Sequence, residues 1–319
     1  MFNNIPTVLT PKEIIDKSFS KASKIELPEE RNWLMQVKTQ CIDKVSTVES
    51  IAVSHLKKLV KKFPSTDHLH PFYLDMLDMA FDVDAYKMSL GKVQWSYRKI
   101  VELAGKAIKN LKSKDDASKM NAVVRQFYGR FVSIIEDLSE ELDLLSKCRD
   151  HMKRIPEINA DIPTFLIAGM PNVGKSSLVT ALSTARPRVA AFPFTTQNIS
   201  IGYLMLGLQR IQIIDTPGVL DRPMLERNEM ERKAISALNR IDGKIIFLFD
   251  HTGTSGYSDE SQEALYNEVV KETGKFVIRV QTKLDMDGGK REELAISTMT
   301  GDGLDRLKEE MQSTIGIDA

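Results

Sequence analysis

The sequence predicts two domains, an all-α helical bundle over residues 1–160 and an α/β domain over residues 161–319. The second domain is expected to have a mostly parallel six-stranded sheet with helices on both faces. Three observations predict this organisation. In the first half, apolar residues recur at helical spacing. In the second half, short apolar runs alternate with helical segments, which is typical of a parallel sheet with helical crossovers. A glycine-rich segment, 169–177, joins the first apolar run to a helix.

The first half contains one short helix and three long ones. Thr10 precedes Pro11 and is a suitable N-cap for the short helix. Apolar spacing predicts long helices over residues 31–59, 85–111 and 117–147. We expect these helices to pack as an antiparallel bundle, with a near-heptad stripe of the third helix in the core. The stripe consists of Val124, Phe127, Phe131, Ile134, Leu138, Leu142 and Leu145.

The second half contains six apolar runs that are short enough to be strands. They cover residues 164–169, 199–206, 210–215, 244–250, 276–281 and 294–297. In a parallel sheet of this type, ligands bind beyond the carboxyl ends of the strands. Residues that follow these runs are therefore the candidates for a functional site.

Composition limits the classes of protein to consider. The 319 residues carry 44 basic and 44 acidic side chains, so the total charge indicates neither a nucleic-acid nor a membrane partner. No apolar run of about 18 residues and no signal-peptide pattern is present, and we expect a soluble, cytoplasmic, monomeric protein. Cys41 and Cys148 show no metal-ligand spacing, which agrees with a reducing compartment.

Residues 169–177, the phosphate loop, match the pattern of two glycines five positions apart followed by Lys and a hydroxyl residue. They are Gly169, Met170, Pro171, Asn172, Val173, Gly174, Lys175, Ser176 and Ser177. Glycines allow backbone N–H groups to point at phosphate oxygens, and the following helix N-terminus helps. Lys175 can place its ammonium on the terminal phosphates, and the Ser176 hydroxyl can ligate Mg²⁺. The loop therefore predicts a nucleoside triphosphate site; a glycine-rich turn that matches by chance is the alternative.

Two further segments fit the phosphate side of such a site. Asp215 ends an apolar strand and can hold Mg²⁺ through a water, while Gly218 can bring a backbone N–H to the γ-phosphate. Between the phosphate loop and Asp215 lie Phe194, Thr195 and Thr196, in an irregular loop. A threonine there completes the Mg²⁺ shell only while the γ-phosphate is present, which would make this loop a switch.

Residues 281–285 indicate which base is bound. The Asp285 carboxylate can accept hydrogen bonds from the N1–H and N2–H₂ edge of guanine, and the stem of Lys283 can pack over the base. Adenine has no such pair of donors, so the pattern favours GTP. An ATPase with the same fold is the alternative.

The order and chemistry of these segments resemble the Obg group of the translation-factor-related P-loop GTPases. Within that group the sequence resembles the Nog family of ribosome-assembly GTPases, in a short form like that of archaea. The resemblance covers residues 5–315 and rests on segments in both halves. The segments are 70–73, 86–91, 192–196, 215–223, 226–228 and 234–238.

The resemblance implies a GTP- and GDP-binding enzyme with Mg²⁺ held by Ser176, Thr196 and Asp215. It implies that Ser297 and Thr298 belong to a loop that presents backbone N–H groups to the guanine carbonyl. Asn172 stands where related GTPases bind a potassium ion that bridges the phosphates. The implied partner is the precursor of the large ribosomal subunit, both its RNA and its proteins. The lysine-rich segments 57–62 and 106–119 are compatible with that partner.

Two positions depart from the usual GTPase pattern. Thr282 stands in place of the Asn of the base-reading motif, so an amide that supports the phosphate loop is lost and weaker nucleotide binding is expected. Val219 follows Gly218, where many GTPases have a glutamine that orients water, so we expect slow intrinsic hydrolysis. A nucleotide-dependent scaffold that binds RNA or the ribosome with little hydrolysis remains a second interpretation.

Overall fold

The computed structural model describes residues 2–28, 32–191, 198–215, 220–221, 229–286 and 292–316. The chain forms two compact units, of which the first comprises Met1–Asp67 and Ala80–Lys153, and the second His68–Met79 and Arg154–Ala319. The predicted boundary after residue 160 stays a prediction. The structure adds a feature that the sequence did not indicate, since a segment of twelve residues from the first half belongs to the second unit.

The helices of the described residues have the following bounds. They are α1 (Pro11–Ala22), α2 (Trp33–Lys62), α3 (Pro71–Asp78), α4 (Val83–Lys112), α5 (Ala117–Glu136), α6 (Ser139–Met152), α7 (Lys175–Leu182), α8 (Glu229–Asn239), α9 (Asp259–Thr273) and α10 (Leu304–Thr314). In the first unit, α1, α2, α4, α5 and α6 turn their apolar faces to one core, in which Leu56, Ile100 and Phe131 are fully buried. None of the described helices combines the length and the apolar character needed to cross a membrane.

Local hydrogen bonds fix where these helices begin. The Thr10 hydroxyl accepts the Glu13 N–H at 3.3 Å, and the Glu13 carboxylate accepts the Thr10 N–H at 2.8 Å. This reciprocal pair is a capping box and satisfies two backbone donors at the start of α1. Asp82 and Asp116 cap α4 and α5 with their carboxylates, which accept backbone N–H groups at the start of each helix. The predicted N-cap at Thr10 is confirmed.

The prediction of one helix over residues 117–147 is wrong, because α5 ends at Glu136 and α6 begins at Ser139. The break changes which residue of the apolar stripe enters the core. Ile135 is fully buried, whereas Ile134, which the heptad spacing had selected, is only half-buried. α5 ends at the break, so its buried residues keep the spacing of one helix, as in Phe127, Phe131 and Ile135. The buried face of α6 starts separately at Leu138.

The second unit is built on a β-sheet with helices packed against it. Its strands are β1 (Thr164–Ala168), β2 (Arg188–Ala191), β3 (Asn198–Leu206), β4 (Gln209–Asp215), β5 (Gly243–Phe249), β6 (Val277–Gln281) and β7 (Leu294–Ala295). The strand order is β2-β3-β4-β1-β5-β6-β7. β4, β1, β5, β6 and β7 run parallel, and the β2–β3 and β3–β4 pairs are antiparallel.

Within the described residues, the sheet therefore has seven strands, not the predicted six. The missed strand, β2, is four residues long and lies at the edge of the sheet, where Val189 is 66% exposed. Because an edge strand is only partly buried, β2 does not need the apolar run that marks the other strands. The central strand β1, by contrast, is buried along its whole length.

The register of the parallel strands brings their carboxyl ends to one edge of the sheet. Ile167 of β1 pairs with Asp215 of β4, and Phe249 of β5 pairs with Gln281 of β6. Consequently, residues that directly follow these strands lie next to one another although they are far apart in sequence. This edge carries the candidate site.

The helix α3 belongs to the second unit and packs against α8. The Tyr73 hydroxyl donates to the Ile158 carbonyl at 2.6 Å, and Asp75 forms an ion pair with Arg240 at 3.0 Å. His70 caps α3 by accepting the Phe72 N–H with its Nδ1 atom. The segment is therefore held to this unit by apolar packing and by hydrogen bonds.

Candidate functional site

The phosphate loop turns sharply between β1 and α7. Gly169 has φ 133° and Gly174 has φ 102°, values that favour glycine. A Cβ atom at Gly169 would lie 2.7 Å from the Leu248 carbonyl oxygen of β5, so no other residue fits there without a shift of the backbone. Asn172 has φ 63°, a conformation that asparagine tolerates better than most residues. Because α7 begins at Lys175, its unsatisfied N–H groups and the positive end of its dipole lie at the loop.

The Lys175 ammonium is held inside this loop. Its Nζ atom donates to the carbonyl oxygens of Gly169 at 2.8 Å and Met170 at 2.9 Å, and the side chain is 7% exposed. Burial lowers the pKa of Lys175, and the carboxylates of Asp221 and Asp215 oppose that change. A buried cation of this kind gains from an anionic ligand such as a phosphate.

Ser176 and Asp215 form a direct side-chain contact at the phosphate loop. The Ser176 hydroxyl donates to Asp215 Oδ2 at 2.5 Å. Asp215 is fully buried, and its Oδ1 atom has no hydrogen-bond partner among the described residues. Burial raises the pKa of Asp215, while the hydrogen bond from Ser176 and the charge of Lys175 lower it. A hydroxyl oxygen beside a carboxylate with a spare lone pair suits a hard cation, so these residues fit Mg²⁺.

Thr282 supports the phosphate loop in a way that the sequence argument missed. Its hydroxyl donates to the Val173 carbonyl at 2.8 Å, and its N–H donates to the Phe249 carbonyl at 2.8 Å. Thr282 is 2% exposed, so the contact is shielded from water. The hydroxyl of Thr282 therefore gives the loop a hydrogen bond in place of the lost amide. The weaker nucleotide binding expected from that loss stays a prediction.

The base-reading segments also come together. Ser297 donates its hydroxyl to Asp285 Oδ1 at 2.5 Å and accepts the N–H groups of Met299 and Thr300 at 3.2 and 3.1 Å. Asp285 is exposed, and Thr298 is half-buried. The buried Ser297 thus shapes its own loop and orients the carboxylate. That Asp285 and the 297–298 loop read guanine stays a prediction.

Sequence reasoning missed two carboxylates at this edge of the sheet. Asp221 is 8% exposed, and its Oδ2 atom lies 3.9 Å from Lys175 Nζ. Asp250 is 1% exposed, and its Oδ2 atom accepts the Lys283 ammonium at 2.6 Å. Signals for both were present, since Asp221 lies in a segment that carried the family resemblance and Asp250 follows an apolar strand as directly as Asp215 ends one.

Five residues given roles by the sequence lie outside the described residues. They are Phe194, Thr195, Thr196, Gly218 and Val219. Their roles at the γ-phosphate stay predictions. The described part of the site comprises the phosphate loop, the aspartates at the strand ends and the base-reading segments.

Comparison with known proteins finds a family model that matches each half of the chain. The family model for the NOG1 N-terminal helical domain matches residues 2–159, and the model for the 50S ribosome-binding GTPase matches residues 164–283. An uncharacterised protein of Methanocaldococcus jannaschii is 33% identical over 275 residues, which cover 84% of this chain and 76% of that protein. The chain belongs to the Nog family.

Nog-family relatives in eukaryotes are longer than this chain. Nucleolar GTP-binding protein 1 of Encephalitozoon cuniculi is 33% identical over 290 residues, which cover 90% of this chain and 55% of that protein. A solved nucleolar GTP-binding protein 1 structure from Plasmodium falciparum is 28% identical, with a TM-score of 0.44, and covers 50% of this chain and 94% of that one. The predicted fold, a helical domain followed by a P-loop GTPase domain, is confirmed, and Nog-family membership supports guanine-nucleotide binding.

The Thr282 contact generates a prediction. Thr282→Val keeps the shape of the side chain but removes the donor to the Val173 carbonyl. We expect the free energy of unfolding to fall by about 1–2 kcal/mol, as measured by urea denaturation, because a buried hydrogen bond is lost. Thr282→Ser keeps the hydroxyl and serves as the control. Equal losses in the two variants would assign the effect to packing and contradict a role for the hydroxyl.

Proposed function

We propose that this chain binds GTP with Mg²⁺, hydrolyses it to GDP and phosphate, and acts as a nucleotide switch in assembly of the large ribosomal subunit. The observation that carries the nucleotide part is the 2.5 Å contact between Ser176 and Asp215. It joins the phosphate loop to the end of another strand, 39 residues later in the chain, and sets two oxygen ligands side by side.

The described residues supply most of what phosphoryl transfer requires. Lys175 and the N–H groups at the start of α7 neutralise charge on the phosphates. Ser176 and Asp215 would hold Mg²⁺, which would supply positive charge to offset the negative charge of the phosphates. A water oxygen attacks the γ-phosphorus and the bond from that phosphorus to the β–γ bridging oxygen breaks. The water gives up a proton to a phosphate oxygen or to solvent, and GDP and inorganic phosphate leave.

Hydrolysis by the chain alone is expected to be slow. Val219 cannot align the attacking water, and no arginine of the chain is assigned to the γ-phosphate. Potassium bound at Asn172 is proposed to supply the missing positive charge, as in related GTPases. The exposed position and left-handed backbone of Asn172 in the phosphate loop are compatible with this role. Equal turnover rates in potassium and sodium buffers would contradict it.

The switch is proposed to act through the Thr195–Thr196 loop and residues 218–231. The packing of α3 against α8 supports a route from there to the helical unit. α8 begins at Glu229, inside the second switch segment, and the 68–79 segment that contains α3 is joined at both ends to the helical unit. A shift of α8 would therefore be transmitted through α3 to both ends of segment 68–79, where the chain continues into that unit.

The ribosomal part of the proposal rests on the family and on charge. The model that matches the second unit is named for a 50S ribosome-binding GTPase. On the helical unit, Lys106, Lys109 and Lys112 are exposed near the end of α4. Lys106 forms an exposed ion pair with Glu102, a contact that a phosphate could replace. Cys41 and Cys148 are buried, unpaired thiols, which supports a cytoplasmic location.

A scaffold that binds nucleotide but turns it over little is the second candidate function, and Val219 is the observation that favours it. Nucleotide would then serve only to hold one conformation. A conformational change of the helical unit on exchange of GDP for a non-hydrolysable GTP analogue would argue against a purely structural nucleotide.

The base specificity generates a prediction that also separates a GTPase from an ATPase. Asp285→Asn should weaken GTP binding at least about tenfold, because the carboxylate that accepts two guanine donors is lost. Asp305→Asn, which changes an exposed carboxylate on α10, is the matched control. Competition against a labelled guanine nucleotide measures both variants, and ATP that competes as well as GTP with the unaltered chain would contradict the proposal.

The ribosomal role generates a second prediction. Co-sedimentation with large-subunit particles should depend on whether GTP, GDP or no nucleotide is present. Reversal of Lys106, Lys109 and Lys112 to Glu should weaken binding and reduce the slope of log affinity against log salt by up to about 3, one for each lost phosphate contact. The same reversal at three lysines of α1, Lys12, Lys17 and Lys21, is the control. Binding that survives the α4 reversal with an unchanged salt slope would contradict this surface.

A further inference from the structure

The end of β5 carries a buried carboxylate to which neither the phosphate loop nor the predicted base-reading motif assigns a role. Asp250 follows β5 directly, and Lys283 comes two residues after β6. Because Phe249 and Gln281 are partners in the parallel ladder, these two strand ends are neighbours. The Thr282 N–H donates to the Phe249 carbonyl at 2.8 Å and closes the junction between them.

Both the side chain and the main chain of Asp250 are fixed. Its Oδ1 atom accepts the N–H of Thr252 at 2.9 Å and the hydroxyl of Thr252 at 2.5 Å, and its Oδ2 atom accepts the Ser255 N–H at 2.8 Å. The fully buried Gln262 of α9 accepts the Asp250 N–H at 2.7 Å and donates to the Asp250 carbonyl at 2.9 Å. The carboxylate therefore has a defined position that depends on the loop after β5.

This carboxylate and one hydroxyl hold the ammonium of Lys283. Lys283 Nζ lies 2.6 Å from Asp250 Oδ2 and 2.7 Å from Thr254 Oγ1. The Lys283 backbone has φ 57°, a left-handed conformation that is uncommon for lysine and persists only where neighbouring contacts enforce it. Both ends of this side chain are thus fixed, and the four-carbon stem between them has little freedom left.

We propose that Asp250 is a positioning residue for nucleotide binding, which holds Lys283 so that its stem is already in place to cover the face of the guanine base. This inference rests on the proposed function. A free lysine side chain loses rotamer entropy when it is ordered, and here that loss occurs on folding and not on binding. Thr254 is a second, weaker positioning residue for the same ammonium.

Charge supports this arrangement. Burial alone would raise the pKa of Asp250, but the hydrogen bonds from Lys283 and Thr252 outweigh it and hold that pKa well below its usual range. Asp250 therefore stays ionised throughout the neutral pH range and keeps its attraction for the lysine. The charges of Asp250 and Lys283 also neutralise each other, so this pair adds no net charge to the base side of the site.

Asp250→Asn in the full chain tests the proposal, because the amide keeps the size of the side chain but loses the charge that attracts Lys283. Calorimetry with GTP and with inorganic triphosphate, which has no base, separates positioning from folding. We expect GTP affinity to fall about tenfold and triphosphate affinity to change by less than about twofold. In hydrolysis, KM should rise while kcat stays near that of the unaltered chain.

A matched pair of threonine variants keeps the test decisive if Asp250→Asn folds poorly. Thr252 and Thr254 both donate hydroxyls to Asp250, but only Thr254 also contacts Lys283 Nζ. Thr254→Val should weaken GTP binding by about two- to fivefold, and Thr252→Val by less, because Thr252 acts on Lys283 only through Asp250. Neither variant should change triphosphate affinity by more than about twofold.

The outcomes distinguish this inference from the function on which it rests. If the unaltered chain takes up no GTP, the proposed function fails. If it takes up GTP and Asp250→Asn binds GTP equally well, the positioning role alone is overturned. Equal losses for GTP and triphosphate, in Asp250→Asn or in the threonine variants, would assign Asp250 to maintenance of the fold and would also overturn it.

Discussion

The hydrogen bond between Ser176 and Asp215 is the interaction on which the arrangement of this site depends. It requires that β4 lie beside β1 in register, that the phosphate loop turn back over the sheet edge, and that α7 begin at Lys175. A fully buried carboxylate with one oxygen that no described residue satisfies is costly on its own. A cation at that oxygen would offset the cost. The unsatisfied carboxylate oxygen of Asp215 therefore destabilises the fold locally but suits a metal ion bound with a phosphate.

Two aspartates at strand ends contact different parts of the candidate site. Asp215 of β4 lies beside the Ser176 hydroxyl, where the phosphates are expected, and Asp250 after β5 holds the ammonium of Lys283, where the base is expected. Thr282 lies between them and ties the end of β5 to the phosphate loop through two hydrogen bonds. The phosphate side and the base side of the site are therefore connected through short, buried contacts. We expect both to be ordered before nucleotide binds.

Much of this architecture follows from sequence, and the failures have physical reasons. Long periodic helices, the Thr10 cap and six strands with strong apolar runs were predictable because local pattern determines them. The edge strand β2 and the break between α5 and α6 were not, since pairing to β3 and packing within the bundle decide those features. Asp250 and the hydroxyl of Thr282 were missed because their roles depend on partners 33 and 109 residues away. Only the sheet register reveals those partners.

We propose that Ser176 and Asp215 hold a magnesium ion on a guanine triphosphate. Calorimetry on nucleotide-stripped protein, with GTP in magnesium and in a chelator, tests it most directly when the unaltered chain is compared with Ser176→Ala and with Ser177→Ala as the neighbouring control. We expect magnesium to strengthen GTP binding to the unaltered chain and to Ser177→Ala, and to have little effect on Ser176→Ala. A Ser176→Ala chain with the full magnesium effect, or an unaltered chain that takes up no guanine nucleotide in magnesium, would contradict the account.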